Sequence, residues 1–240
     1  MIIEGNISVK AALLGNKREV KEIYVLDNKK DKDTSFILHK AKERNIPIHL
    51  CTKEEIDEKS SGHTHGGLLA EVGMRSYENL DELLHTNNPF FVLIEGIEDP
   101  FNLGYVMRTL YSAGCDGLII KERNFGDSES IILKSSAGAY EYLNIISSKD
   151  VIEDIKKIKE KGIKAICAMR KNAIAYTEAD LKKPLLLAIG GEMRGLSSKV
   201  LQEMDQNIYI PYANDFRNAL NASSATAVLA YEVKRQNEYS

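Results

Sequence analysis

The chain has 240 residues, 43% of them apolar and 28% charged, with a net charge of −3. That length supports one large or two modest domains with real cores, and the near-neutral charge excludes a surface that announces a polyanionic partner as a whole. The longest apolar runs, FFVLI at 90–94 and PLLLAI at 184–189, fall far short of the roughly 20 residues that cross a bilayer, so no membrane span is expected. MIIEGNISVK carries Glu4 early and has no basic stretch ahead of a long apolar one, which is no secretory signal and implies a cytoplasmic protein.

In chain order, Asn6 or Ser8 is positioned to cap a helix ending near Gly15, KEIYVL at 21–26 reads as a strand, and TSFILHKAKERN has apolar positions at helical spacing. IPIHL follows as a strand, Thr52 and Glu55 form a capping-box pattern, and GGLLAEV at 66–72 reads as a further strand. Residues 1–75 are therefore expected to form a small α/β domain. Residues 10–44 hold ten Lys or Arg against six Asp or Glu, and 45–88 hold three against eight, which gives this domain a basic side. Lys17, Arg18, Lys21, Lys29, Lys30 and Lys32 are either phosphate contacts or an ordinary solvated face. Residues 76–89 lose the strand pattern around a short polar helix, NLDELL, and read as a linker.

From residue 90, the apolar strands FFVLIEGI, DGLIIK, LNIISS, KAICAM, PLLLAIG and NIYIPY alternate with helical segments. This pattern predicts a mostly parallel sheet covered on both faces. Cys51, Cys115 and Cys167 are odd in number, widely spaced and set in apolar segments, as expected of reduced buried thiols. Ligands of open α/β sheets bind at the carboxyl ends of strands, and three motifs sit there.

The first motif is DPFNLGYVMRTLYSAG, with Asn102 and Gly104 opening a helix and Arg108 six residues after Asn102. A helix start with its free N–H groups suits a phosphate. Read alone, the pattern is also that of a capping Asn and a surface Arg. The second is LAIGGEMRGL, where Gly190 and Gly191 leave room for the backbone to approach a ligand and Glu192 sets a carboxylate at the strand end; read alone it is a turn. The third is IPYANDFRNALNASSATAVLAYE, in which Ile210 and Pro211 end a strand and Leu220 to Lys234 continue as an apolar-periodic helix.

The order and spacing of these three segments resemble the SpoU (TrmH-like) branch of the knotted SPOUT methyltransferases. The resemblance implies a catalytic domain over 90–240 with a deep trefoil knot at its cofactor pocket, S-adenosylmethionine as cofactor, a homodimer, and methyl transfer to a ribose 2′-hydroxyl of RNA without a metal. It assigns catalytic roles to Asn102, Arg108, Glu192 and Asn221 and cofactor contacts to Gly190, Gly191, Ile210 and Leu220. In the family the Arg is held to take the hydroxyl proton. A guanidinium with a pKa above 12 is a poor base, so Arg108 either has a strongly perturbed environment or orients phosphate and stabilises developing alkoxide.

Two departures stand out. Met193 occupies a usual Gly, and Ala219 occupies the Ser of a Ser-Leu-Asn pattern after a loop one residue longer, leaving Ser223 or a loop neighbour to compensate. The GNISVKAAL opening and HTHGGLLAEV resemble the small L30e-like substrate-binding domain of ribosomal-RNA members, with Gly in place of Gln beside His65. That domain favours ribosomal over transfer RNA and makes Lys17, Arg18, Lys29, Lys30, His65 and Arg108 the candidate RNA contacts. His63 and His65 lack the further ligands that a tetrahedral metal site needs. The alternative reading is an RNA-binding protein on the same fold that has lost methyl transfer. A nicotinamide-dependent dehydrogenase is disfavoured, because no Gly-x-Gly-x-x-Gly follows a strand with an acidic residue about 20 positions on.

Overall fold

The computed structural model describes residues 1–60, 62, 65–191, 194–215 and 217–238. In chain order the elements begin with β1 (Ile2–Glu4), α1 (Gly5–Gly15), β2 (Val20–Leu26), α2 (Lys32–Glu43), β3 (Ile48–Cys51), α3 (Lys53–Lys59), β4 (Leu68–Val72), α4 (Leu80–Leu83) and β5 (Phe90–Glu95). They continue with α5 (Pro100–Ser112), β6 (Gly117–Lys121), α6 (Ser128–Ser135), a 3-10 turn (Ala139–Glu141), β7 (Ile145–Ser148) and α7 (Val151–Glu160). Last come β8 (Lys164–Ala168), β9 (Ala173–Ala175), β10 (Leu185–Gly190), α8 (Ser198–Glu203), β11 (Gln206–Tyr209) and α9 (Ala222–Glu238).

The chain divides into two compact units: Met1–Ser76 with Asp127–Tyr142, and Tyr77–Gly126 with Leu143–Ser240. In the first, β1 and β2 flank β4 antiparallel and β3 joins β2 in parallel, giving the order β1-β4-β2-β3. Asp31 caps α2 by accepting from the Thr34 amide at 2.9 Å. Thr52 and Glu55 form the expected capping box of α3. Helix α1 starts earlier than its sequence suggested: it follows β1 directly, with Glu4 at the N-cap making no side-chain cap bond, so Asn6 and Ser8 lie inside its first turns.

The segment Asp127–Tyr142, which sequence order put in the catalytic half, packs in this first unit. It brings acids to buried cations. Arg18 Nη2 lies 2.5 Å from Glu129 Oε1 and its Nε lies 2.9 Å from Glu141 Oε1, with both the Arg18 and Glu141 side chains fully buried. Arg75 Nε donates to the Tyr140 carbonyl at 3.2 Å. Glu4 accepts from Lys134 Nζ at 2.6 Å and from the Ser60 hydroxyl at 2.9 Å. The reading of Arg18 as a surface phosphate contact is thereby corrected: a residue 8% exposed and salt-bridged on two sides has no guanidinium edge to offer RNA.

The second unit is built on a parallel sheet, seven-stranded among the described residues, with the order β7-β6-β5-β10-β8-β11-β9. Helices cover both faces, which is why FFVLIE and LLLAIG are apolar throughout instead of alternating. One face packs Phe91, Leu93, Ile119 and Leu186 against Ile155, Ile158 and Val200 of α7 and α8. Helices α5 and α9 pack against each other, and α9 also contacts β10. Of the stretch 76–89 expected as a linker, residues 77–89 belong to this unit: Glu78 Oε2 accepts from the Ile145 amide at 2.6 Å, and Leu80 is buried in the α7 face. No described helix is long and apolar enough to cross a membrane.

Candidate active site

Two adjoining cavities open at the carboxyl ends of the central strands. The first, about 310 Å³, is lined by Ile189, Gly190 and Gly191 from the end of β10, by Ile208 and Ile210 around β11, and by Leu220 and Leu229. All four residues expected to hold a cofactor, Gly190, Gly191, Ile210 and Leu220, therefore share one cavity. The second, about 460 Å³, is lined by Gly96, Ile97, Glu98, Asp99, Asn102 and Arg194. Ala222, the first residue of α9, lines both.

The glycines work differently from the expectation. A Cβ on Gly191 would sit 2.0 Å from the Gly96 carbonyl oxygen, and one on Gly190 would sit 2.4 Å from the Gly195 carbonyl carbon. What approaches is the chain's own backbone: the Gly191 amide donates to the Glu95 carbonyl at 2.6 Å, and the Gly195 amide donates to the Gly191 carbonyl at 3.0 Å. Gly96 turns the chain out of β5 at φ +80°, a conformation that glycine adopts without strain. Both glycines thus seal the loops that wall the cavity. Glu192 and Met193 fall outside the described residues.

Helix α5 is capped by Asp99, whose Oδ1 accepts from the Asn102 amide at 2.7 Å, with Pro100 at the first helical position. Asn102 is therefore not the cap, and its half-buried side chain lines the second cavity. Arg108 stands six residues on, about 9 Å farther along the helix axis at 1.5 Å per residue. It is exposed, lines neither cavity, and its guanidinium has no hydrogen bond or ion pair among the described residues. Asn221 caps α9: its Oδ1 accepts from the Ser224 amide at 2.7 Å and from the Ser223 hydroxyl at 3.1 Å. Ser223, the candidate stand-in at Ala219, thus spends its proton on this cap.

Sequence reasoning missed several residues of the site. Arg170 Nη1 and Nη2 donate to the carbonyls of Arg217 and Asn218, 47 and 48 residues away, a separation at which no local pattern signals a pairing. Tyr212, directly after the strand-ending Ile210-Pro211, accepts from the Leu220 amide at 2.6 Å. Arg123 Nη1 donates to the Ile97 carbonyl at 3.0 Å and holds that cavity wall. Cys167 lies under the site with its thiol donating to Asn207 Oδ1 at 3.1 Å; burial pushes it up to about 11, so it stays protonated and supplies no nucleophile. All three cysteines are free and buried, as their settings implied.

Of the expected RNA contacts of the first unit, Lys29 and His65 line one cavity together with Lys134. Lys29 pairs with Asp31 at 2.6 Å, Lys17 is half-buried, and Lys30 is exposed. His65 has both ring nitrogens engaged, Nδ1 by the Gly67 amide at 3.0 Å and Nε2 by Asp57 at 3.0 Å. His63 is outside the described residues.

A parallel sheet with cavities at its strand ends and helices on both faces defines an α/β ligand-binding domain. Residues 89–231 match the SpoU rRNA methylase family, and residues 2–78 match the RNA 2′-O ribose methyltransferase substrate binding domain. The chain belongs to the SpoU rRNA methylase family. It is 28% identical over 239 residues to the 23S rRNA (guanosine-2′-O-)-methyltransferase RlmB of Shewanella oneidensis, covering 98% of this chain and 97% of that one. In fold it is similar to the SpoU methyltransferase AviRb from Streptomyces viridochromogenes, with a TM-score of 0.82, 21% identity, and coverage of 100% of this chain and 90% of that one. An AdoMet-bound rRNA methyltransferase from Sinorhizobium meliloti shares the fold with a TM-score of 0.79 at 20% identity, over 98% of this chain and 86% of that one.

Proposed function

We propose that this protein methylates a ribose 2′-hydroxyl of ribosomal RNA, with S-adenosylmethionine as the methyl donor. The observation that carries the reading is the cavity that gathers Gly190, Gly191, Ile210 and Leu220 beside the one that holds Asn102. The first cavity fits the cofactor. Its volume lies at the lower end of the roughly 300–1,000 Å³ usual for ligand sites, and its strand-end aliphatic side chains suit a purine, with backbone polar groups at the glycine loop. Gly190, Gly191, Ile210 and Leu220 would hold the cofactor, which would supply an electrophilic methyl carbon on a sulfonium leaving group.

The chain's own part in this is positioning and charge. Asn102 offers an amide to the nucleotide in the second cavity. Asn221 fixes the start of α9, which supplies Ala222 to both cavity walls. Arg108 orients phosphate and stabilises developing alkoxide charge. Glu192 is kept as a candidate of the same centre.

Around this centre we place a homodimer in the cytoplasm. Helix α5 leaves Phe101, Tyr105 and Tyr111 exposed at 48–52%, an aromatic surface beside Arg108 that a second copy would cover. A trefoil knot fits the strand order, since β10 inserts between β5 and β8, and β11 between β8 and β9. Ribosomal RNA is preferred over transfer RNA because residues 2–78 match the substrate-binding domain. The second reading, RNA binding without transfer, draws on Ala219, an exposed residue with no hydroxyl.

The test is nucleoside mass spectrometry of ribosomal and transfer RNA from cells with and without the gene, complemented by wild type or Arg108→Ala. The expected result is one ribose-methylated nucleoside that disappears and returns only with wild type, while purified Arg108→Ala keeps its melting temperature. Unchanged ribose methylation alongside retained RNA binding establishes the second reading.

A further inference from the structure

The segment 211–221 between β11 and α9 lines the proposed cofactor cavity through Tyr212, Ala219 and Leu220. Its described residues are exposed apart from half-buried Tyr212, and α9 begins only at Ala222. Described residues this exposed have almost no apolar burial with which to offset their ordering entropy. Contacts of Arg170, outside the three motifs, and of Tyr212, inside the third, fix them instead. Arg170, two residues beyond β8, reaches the carbonyls of Arg217 at 3.3 Å and Asn218 at 3.2 Å. The same guanidinium lies 4.5 Å from the centroid of the Tyr212 ring. The Tyr212 phenol oxygen accepts the Leu220 amide proton at 2.6 Å, so one aromatic side chain spans eight residues of loop.

Arg170 and Tyr212 themselves line the cavity together with Ile210, Ala219 and Leu220. The fork of the guanidinium explains why an Arg stands at 170: two carbonyls one residue apart need two parallel donors, and the planar face stays available for the ring. The position also answers a question raised by the third motif. Where the family pattern has a serine hydroxyl, Ala219 has none, and the peptide N–H of the next residue, Leu220, is bound by the Tyr212 hydroxyl oxygen.

We propose that Arg170 and Tyr212 are positioning residues, a clasp that holds the described residues of loop 211–221 in the shape that receives S-adenosylmethionine. The inference rests on the reading of this cavity as the cofactor site. Neither residue touches a reacting atom. Their effect falls on cofactor affinity and leaves the rate at saturation in place.

The experiment compares wild type, Arg170→Ala, Arg170→Lys, Tyr212→Phe and the double variant Arg170→Ala/Tyr212→Phe. Each is titrated calorimetrically with S-adenosylhomocysteine without RNA, and the exchange of the Leu220 amide is followed by NMR. Because the contacts are solvent-exposed, each variant is expected to weaken binding by about tenfold, the scale of one charge-assisted hydrogen bond. The melting temperature should hold. Arg170→Lys should recover only part of the loss, since an ammonium cannot bridge two carbonyls and stack. The double variant should bind no more weakly than about the worse single one, because the two residues act as a unit. The Leu220 amide should be protected in wild type and exchange faster in every variant, and in turnover assays KM for the cofactor should rise with kcat unchanged.

Affinity within twofold of wild type in both single variants, or a fall in kcat with KM unchanged, overturns the clasp. Wild type that binds no S-adenosylhomocysteine overturns the cofactor reading instead, and Leu220 exchange then decides the clasp by itself: protection lost in the variants upholds it as the device that orders the loop, and protection unchanged removes it.

Discussion

Gly190 and Gly191 show how far a single residue can be read from its letter. Their sequence setting, two small residues at the end of an apolar strand, made close approach legible but not what approaches. The approaching groups, Gly96 and Gly195, come from segments whose positions only the folded sheet defines. Gly191→Ala forces a Cβ to 2.0 Å from a backbone oxygen that cannot rotate away. The expected outcome is a loss of about 1–3 kcal/mol in stability, the range for overpacking, together with loss of cofactor binding as β5 and β10 separate at their ends. Denaturant melts and cofactor titration of the purified variant check both. Arg18 teaches the converse. In a run of lysines it looked like one more surface cation, and its burial depends on acids more than a hundred residues away.

Elements with local signatures were the most legible part. The capping box of α3 and the six long apolar strands are present where their patterns put them. β1 and β9, at three residues each, carry too little pattern to be seen. The allegiance of α6 was also hidden, because nothing in its sequence says that its lysine belongs beside β1. That pairing makes stability depend on pH. Burial raises the Glu4 carboxyl, but the bonds from Lys134, Ser60 and the Gly62 amide outweigh it and hold it below the usual carboxylate range. A lowered folded pKa gives stability that is present above the unfolded value, about 4.3, and lost as pH falls through the folded one. Glu4→Gln should therefore melt below wild type at pH 7, with the gap closing below about pH 4.3. Thermal melts from pH 7 to 3 check it, and a gap independent of pH would assign the loss to packing.

At the scale of the whole molecule, the covered parallel sheet was readable from unbroken apolar strands, whereas its order was not. Parallel neighbours are chosen by crossovers of many residues, and no local feature of LLLAIG reveals that it lies between β5 and β8. The division into units has the same character. Residues 2–78 match a substrate-binding domain, yet the compact unit also includes Asp127–Tyr142. A fragment of residues 1–78 would strip Glu129, Glu141 and the Tyr140 ring from Arg18 and the Tyr140 carbonyl from Arg75. The fragment alone is expected to lack a cooperative melt, and linking residues 127–142 to it should restore one, as followed by circular dichroism.

The cavity walls run from Gly96 at the end of β5 to Leu229 within α9. A ribosome delivers such a site all at once and late. With β5, β6, β7 and β8 already outside the exit tunnel, the nascent chain still lacks Ile210, the loop clasped by Arg170 and the first turns of α9. A chain arrested anywhere before residue 229 is thus released without a complete cofactor cavity, so partial translation products have no finished site with which to compete for the donor.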